Sequence, residues 1–220
     1  MQKIEEFFRE HINSENFLEL KLPVNQEEMN TLIDKFMIYL KELKKWNRSY
    51  NLTSIDNERE IIIKHFLDSL LYLCYIPQKF AYIADIGSGA GFPGMPIAIA
   101  RPYLHVTLIE PSWKKCAFLK NIKRKIGIKN VDVLQGKAEE VDKTYDIITT
   151  RALWSIKDFV KKCNALLKEE GYFIVSKSWR YEEEIKELSE EYRFEIKEFI
   201  LPATEVSCRE HKRFIIKIGK

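Results

Sequence analysis

The segment Asp85-Ile86-Gly87-Ser88-Gly89-Ala90-Gly91-Phe92-Pro93-Gly94 holds four of the eight glycines of this 220-residue chain. It follows an apolar, β-branched run, Phe80–Ile86, and precedes the apolar segment Met95–Ala100. Glycine lets the backbone turn sharply and approach a ligand closely, and Pro93 suits a first helical position. The segment therefore predicts a strand-to-helix turn with a ligand at the carboxyl edge of the strand.

Beyond this turn, short β-branched runs alternate with helical or polar segments, which predicts a mostly parallel sheet wound with helices, an α/β fold. The predicted strands of this part are Phe80–Ile86, Leu104–Ile109, Val131–Leu134, Tyr145–Thr149 and Gly171–Ser176. Two further runs, Phe194–Leu201 and Arg213–Ile218, have only a polar loop between them. They predict an antiparallel pair at the C-terminal edge of the sheet.

The N-terminal part of the chain has a helical pattern instead. Asn25 with Glu28 three residues later forms a plausible capping box, and the apolar residues between Met29 and Leu43 recur at three- and four-residue steps. A second helical pattern ends before Pro77. We expect residues 1–79 to form a helical extension packed on a domain formed by residues 80–220.

Composition places the chain among ordinary globular proteins, with 45% hydrophobic and 31% charged residues and a net charge of +3. The four cysteines form no CxxC pair and the four histidines no HExxH motif, so we expect no metal site and no disulfide framework. No signal-like or membrane-length apolar run occurs. We expect a cytoplasmic monomer with no membrane partner.

Two acids flank the glycine turn and bear on its ligand. Asp85 precedes the glycines, where its charge suits an ammonium group and disfavours a pyrophosphate. Glu110 ends the second predicted strand and is placed to accept the two hydroxyls of a ribose. Gly89, Gly91 and Gly94 also satisfy GxGxxG, so a dinucleotide is the alternative, as is a tight turn with no ligand. The two acids favour S-adenosylmethionine.

Several polar residues lie where this ligand or its reaction partner would bind. Arg151 and Lys177 follow the fourth and fifth strands and would bind a substrate phosphate or hold a target base, the alternative being surface cations. His65 and Asp68 share a helix face, which indicates a packed or hydrogen-bonded pair rather than a metal site. Asn51 would cap or brace the same pocket.

Charge is segregated along the chain. Between Pro111 and Val131 there are seven basic residues and no acid, whereas Tyr181–Glu198 holds eight glutamates against three cations. On a helix, Lys120, Lys123 and Arg124 share one side, which suits RNA phosphates. The alternative is a solvated helix face.

Five strings in the sequence resemble the family of bacterial small-subunit ribosomal RNA methyltransferase G, formerly called glucose-inhibited division protein B. They are Trp46-Asn47 with Tyr50-Asn51-Leu52-Thr53, His65-Phe66-Leu67-Asp68-Ser69-Leu70, the glycine turn 85–94, Ala138-Glu139, and Thr150-Arg151-Ala152. The resemblance implies a Rossmann-like class I methyltransferase. It would transfer a methyl group from S-adenosylmethionine to N7 of a guanine in the decoding region of 16S rRNA, within the small ribosomal subunit.

Carried over by position, the cofactor contacts of this family would be Gly87, Phe92, Ala138 with Glu139, and Arg151. The sequence departs from the family at Trp113, which is bulky, and at Ser176-Lys177-Ser178. Guanine N7 has a lone pair and no proton, so the transfer requires no general base. The enzyme would accelerate the transfer mainly by positioning the guanine against the methyl donor. Two other functions stay open: a small-molecule methyltransferase of the same fold, and a non-catalytic nucleotide-binding module that docks a partner through its N-terminal helices.

Overall fold

The computed structural model describes residues 2–22, 25–151, 154–178, 181–188, 191–204, 206, 208 and 210–219. Within these residues the strands form one seven-stranded sheet in the order β3-β2-β1-β4-β5-β7-β6. The strands are β1 Tyr82–Ile86, β2 His105–Glu110, β3 Val131–Gln135, β4 Tyr145–Arg151, β5 Leu167–Lys177, β6 Arg193–Leu201 and β7 His211–Gly219.

Strands β1 to β5 are parallel, and β7 runs antiparallel between β5 and β6. This arrangement confirms the mostly parallel sheet with an antiparallel C-terminal pair. It also brings the carboxyl ends of β1, β2, β4 and β5 to one edge of the sheet. Asp85, Glu110, Arg151 and Lys177 therefore lie along the same edge, which we call the carboxyl edge.

The helices connect these strands and precede them. They are α1 Gln2–Ile12, α2 Glu15–Leu18, α3 Gln26–Tyr50, α4 Glu58–Ile61, α5 Asp68–Leu70, α6 Gly94–Ala100, α7 Trp113–Ile126, α8 Ile156–Cys163 and α9 Tyr181–Lys186. A π-helical segment, Ile62–Leu67, joins α4 to α5, and a 3-10 segment, Leu71–Tyr75, follows. The Asn25 side chain accepts the Glu28 N–H at 2.8 Å, so α3 begins at the predicted cap.

The N-terminal helices and one face of the sheet share a single apolar core. Phe36 of α3 is fully buried, and its ring centroid lies 5.1 Å from that of Phe8 and 5.0 Å from that of Phe66. Phe66 in turn lies 6.0 Å from Phe92 of the glycine turn. This chain of rings connects α1 to the edge of the sheet. The division into units 1–79 and 80–220 stays a prediction.

The opposite face of the sheet is covered chiefly by α8. Phe159 of α8 packs edge-on against Phe173 of β5, with 5.4 Å between the ring centroids. Between β3 and β4 the chain forms only a 3-10 turn, Ala138–Glu140. None of the helices in the described part of the chain has the length and apolar character that a bilayer crossing requires.

Replacing Phe36 with alanine tests whether the helices and the sheet unfold together. The change removes a fully buried ring, so the free energy of unfolding should fall by about 3–5 kcal/mol while unfolding remains a single transition. Urea denaturation followed by far-UV and near-UV circular dichroism measures both quantities. Phe80→Ala, at a 59% exposed ring, is the control and should stay within about 0.5 kcal/mol of the native value. Two separate transitions would show that residues 1–79 fold as an independent unit.

Candidate functional site

The glycine turn lies at the carboxyl end of β1, as predicted. Gly87, Gly89 and Gly91 have φ values of 67°, 59° and 102°. A Cβ on Gly91 would lie 2.5 Å from the Tyr39 hydroxyl, so close packing explains this glycine. A Cβ on Gly89 would meet only the Gly87 carbonyl, at 3.9 Å. Gly89 therefore borders open space on the side where a ligand would lie.

Glu110 holds the turn from the neighbouring strand. Its carboxylate is 4% exposed and accepts the Gly89 N–H at 2.8 Å and the Ser112 N–H at 2.9 Å. The turn also crosses to β2 through the Gly87 N–H, which donates to the Ile109 carbonyl at 2.8 Å. A carboxylate has about four acceptor positions, so two remain for hydroxyl donors. The acid is thus fixed beside the turn, as a ribose-binding group requires.

Asp85 lies beneath the turn and is fully buried. One carboxylate oxygen accepts the Gly94 N–H at 2.9 Å, and the other has no hydrogen-bond partner among the described residues. Burial, partly offset by this hydrogen bond, raises the pKa of Asp85 to about 7. A nearby ammonium would satisfy the free oxygen and favour the charged carboxylate. Asp85 does not itself line the cavity between Gly87, Glu110 and Ala138, so its role towards a ligand stays a prediction.

A cavity of about 450 Å³ opens between Gly87 and Glu110 on one side and the Ala138-Glu139 turn on the other. The sequence thus predicted three of the segments that line it. Trp154 also lines the cavity and was not predicted. The Lys162 ammonium lies 4.9 Å from the Trp154 ring centroid and 3.4 Å from the Glu139 carboxylate, so these three residues form the outer wall.

Phe92 is buried and does not line this cavity. Its ring stacks on both Tyr39 and His65, with centroid distances of 5.4 Å and 4.5 Å. The Arg151 guanidinium carbon lies 5.1 Å from the same ring centroid. The Tyr39 hydroxyl donates to the Ala90 carbonyl and so fixes the turn from α3. In this structure Phe92 holds the turn through these contacts.

Arg151 ends β4 and joins an ion-pair network at the carboxyl edge. It donates to the Lys64 carbonyl at 3.0 Å and lies 3.5 Å from the Asp68 carboxylate. Asp68 also accepts from Arg213 of β7 at 2.7 Å. One nearly buried carboxylate therefore fixes two arginines contributed by different strands. Ala152, the last residue of the predicted Thr150-Arg151-Ala152 string, lies outside the described residues.

His65 lies in the π-helical segment and is neutral in this network. Burial, and the Arg151 charge after it, lower the pKa of His65 to about 3. Nδ1 then accepts from Arg151 at 3.0 Å, and Nε2 donates to the Thr53 hydroxyl at 2.8 Å. The predicted contact of His65 with Asp68 runs through Arg151, which hydrogen-bonds both side chains.

Two other predicted residues have structural partners. Asn51 is the left-handed C-cap of α3, with φ 48°, and its N–H donates to the Asn47 carbonyl. The Asn47 side chain then accepts from Thr53, which links this cap to His65. Lys177 is paired with Glu184 of α9 at 2.7 Å and its side chain is 15% exposed. Its predicted contact with RNA therefore requires a break in this pair.

The basic helix α7 lies beside the cavity and packs against α3. Lys120 and Arg124 are exposed. Lys123 lies 3.8 Å from Asp132 and Arg124 contacts Asn121 at 3.4 Å. These positions fit a phosphate-binding face, which stays a prediction. No group of three or more potential metal ligands occurs in the described ranges.

Besides Trp154, sequence analysis missed Tyr39, Thr53 and Arg213. Tyr39 fits the apolar stripe of α3, and Arg213 is the first residue of the predicted strand Arg213–Ile218. Neither pattern distinguishes a site residue from a structural one. Thr53 lies inside a string that the sequence singled out, but its hydrogen bond to His65 depends on the path of the loop between α3 and α4.

The sheet order, the glycine turn after β1 and the acid at the end of β2 define a Rossmann-like enzyme of the class I methyltransferase type. Solved structures agree with this fold. The B. subtilis M1A22 tRNA methyltransferase TrmK superposes with a TM-score of 0.55 at 20% identity, over 72% of this chain and 68% of that one. Precorrin-6y C5,15-methyltransferase from Geobacter metallireducens GS-15 gives 0.54 at 16% identity, over 69% and 86%.

Sequence comparison identifies the family. The model of rRNA small subunit methyltransferase G matches residues 32–212. The protein of that name from Neisseria meningitidis serogroup C is 40% identical over 74% of this chain and 79% of its own length. The one from Pasteurella multocida is 34% identical over 78% and 80%. The chain belongs to the rRNA small subunit methyltransferase G family.

Changing Asp85 to asparagine tests the electrostatics beneath the turn. The folded pKa of about 7 lies above the ordinary 3.8, so the native protein binds this proton more tightly than the unfolded chain does. Asp85 therefore adds stability as the pH falls through 7 towards 4. The quantity to compare is the free energy of unfolding of the native protein minus that of Asp85→Asn. This difference should increase by more than about 1 kcal/mol when the pH is lowered from 8 to 5.

Urea titrations at the two pH values measure this difference, and the subtraction cancels the opposite contribution of His65. Asp56→Asn, at an exposed carboxyl, is the control and should stay within about 0.5 kcal/mol of the native protein at both pH values. An Asp85→Asn difference that does not change with pH would show that Asp85 titrates like an exposed acid.

Proposed function

We propose that this chain transfers the methyl group of S-adenosylmethionine to N7 of a guanine in the decoding region of 16S rRNA, acting on the small ribosomal subunit. The observation that carries the proposal is the Glu110 carboxylate, fixed between the Gly89 and Ser112 amides at the mouth of a nucleoside-sized cavity. Family membership supports rRNA as the acceptor.

The residues at the carboxyl edge fit this cofactor. Glu110 would bind the ribose hydroxyls, the free oxygen of Asp85 would face the ammonium, and Ala138 with Glu139 would flank the adenine. Gly87 and Gly89 would keep the backbone close to the ligand, Gly91 would let the turn pack against Tyr39, and Phe92 would hold the turn through its contacts with Tyr39 and His65. When bound, S-adenosylmethionine supplies the methyl group as an activated sulfonium.

The acceptor side of the site is built for positioning. Guanine N7 offers a lone pair, so no residue has to remove a proton. This requirement agrees with a neutral His65 whose two ring nitrogens are occupied by Arg151 and Thr53. Arg151 is 20% exposed on its side chain and would hold the base or a phosphate, with Asn51, His65 and Lys177 as neighbours. The proposal also places the enzyme in the cytoplasm, as a monomer that needs no metal.

A methyl-transfer assay with mapping of the product tests the proposal. Purified protein, labelled S-adenosylmethionine and small subunits from a strain lacking the corresponding gene should yield one 7-methylguanosine in 16S rRNA, detected by nuclease digestion and mass spectrometry. Bare 16S rRNA and a pool of small metabolites are the parallel substrates. Label in metabolites alone would identify a small-molecule methyltransferase, and intact cofactor after prolonged incubation would identify a binding module.

Two substitutions separate cofactor binding from transfer. Glu110→Ala removes the proposed ribose acceptor and should weaken S-adenosylmethionine binding about ten- to hundredfold in calorimetry. Arg151→Lys retains the charge but not the planar fork, so affinity should change by less than about threefold while single-turnover transfer falls about tenfold or more. Glu169→Ala, at an exposed acid on β5, is the matched control. Native affinity in Glu110→Ala would refute the assigned ribose site.

A further inference from the structure

Two exposed aromatic side chains lie beside the candidate site and have no role in the reaction proposed above. Trp113 is 61% exposed and begins α7, three residues after Glu110. Tyr50 is 42% exposed and ends α3, immediately before the left-handed cap Asn51. Exposed Trp and Tyr side chains are enriched at binding surfaces, so the two rings are candidates for a binding surface.

Contacts between α3 and α7 bring the two rings to the same end of the helix pair. Asn121 donates to Glu42 at 2.9 Å, and one turn further along, the rings of Phe118 and Trp46 have centroids 5.7 Å apart. The helices are therefore antiparallel. Another turn in the same direction places Tyr50 level with the first turn of α7, where Trp113 lies. The Trp46 ring packs against the Tyr50 ring, with 5.4 Å between the ring centroids.

This end of the helix pair coincides with the carboxyl edge of the sheet. Trp113 follows Ser112, whose amide binds Glu110, and Tyr50 precedes the loop in which Thr53 contacts His65. Trp113 therefore lies close in sequence to Glu110, which lines the cavity, and Tyr50 to Thr53, which contacts the Arg151 network through His65. We call Tyr50 and Trp113 the aromatic rim.

Charge indicates what the aromatic rim binds. Lys114 lies 5.9 Å from the Trp113 ring centroid, and residues 111–131 contain seven cations and no acid. Aromatic rings beside cations fit a ligand with flat bases and a negative backbone. Unpaired nucleobases stack on such rings while neighbouring phosphates pair with lysine and arginine.

We propose that the aromatic rim stacks unpaired bases of the RNA substrate that flank the target guanine, with the cations of α7 along their phosphates. The inference rests on the proposed function, because it assumes that the acceptor is RNA. It adds to that function a preference for a single-stranded or looped target, since bases in a paired helix cannot stack on a protein ring.

Binding of single-stranded oligoadenylate, about ten nucleotides long, tests the aromatic rim without requiring catalysis. The full chain is titrated with fluorescein-labelled oligoadenylate, and anisotropy gives the affinity. Trp113→Leu keeps an apolar side chain but removes the ring, so affinity should fall about tenfold, and Trp113→Phe should restore most of it. Phe80→Leu changes a comparably exposed ring at the opposite edge of the sheet and should bind like the native chain.

A salt titration distinguishes stacking from charge. Trp113→Leu should leave the slope of log affinity against log salt concentration unchanged, whereas Lys120→Glu combined with Lys123→Glu should reduce it. In methyl transfer to small ribosomal subunits, Trp113→Leu should raise KM about tenfold and leave kcat unchanged. Near-native circular dichroism and near-native calorimetric affinity for S-adenosylmethionine show that the variant is folded.

The outcomes separate this inference from the proposed function. Equal binding of oligoadenylate by Trp113→Leu and native protein overturns the aromatic rim even when 16S rRNA is methylated normally. No binding of oligoadenylate by the native protein, or equal affinity for a duplex of the same length, overturns it as well. A third outcome is that Trp113→Leu loses oligoadenylate binding while the native protein does not methylate rRNA. This result would support the aromatic rim and refute the proposed reaction.

Discussion

The buried ring of Phe92 is the contact on which the site depends, because it joins the glycine turn to the helices that precede the sheet. Tyr39 and His65 both stack on it, and Arg151 packs against the same ring. The turn is held from α3 and from the π-helical segment as well as from β1 and β2. The N-terminal helices are therefore part of the site's framework, and a change in their packing would reach the carboxyl edge directly.

Asp68, Glu110 and Asp85 are buried carboxylates near this edge, and each is stabilised in a different way. Asp68 binds two arginines, Glu110 accepts two backbone amides, and Asp85 has one amide and one free oxygen in a buried position. The arginine charges offset the cost of burying the Asp68 carboxylate, and the two amide dipoles offset that of Glu110. For Asp85 the cost of desolvation is only partly offset, and it raises the pKa of this carboxyl. A bound ammonium would remove that cost, so the least satisfied acid is the one best suited to favour a cationic ligand.

Sequence patterns predicted the parts of the structure that local physics determines. Turn glycines, β-branched runs and the parallel order of strands suffice to bring Glu110 beside Gly89. The start of β5 was missed, because Lys168, Glu169 and Glu170 interrupt the apolar pattern in an irregular stretch between the pairs Tyr145–Leu167 and Ile147–Tyr172. The Asp68–Arg213 ion pair spans 145 positions and depends on the insertion of β7 beside β5. Glu184, the partner of Lys177, is one of eight glutamates in residues 181–198, and the sequence alone does not show which of them forms the ion pair.

The position of β7 has a consequence for biosynthesis. The last strand of the sheet pairs on both sides, between β5 and β6, and it carries the arginine that completes the Asp68 network. A nascent chain still held in the ribosomal exit tunnel can form β1 to β5 and stack the rings around Phe92, but it lacks both an interior strand and Arg213. The Asp68 network is therefore complete only after β7 has been synthesised and has emerged, and a chain that stopped before Arg213 would lack one of the two arginines that Asp68 binds.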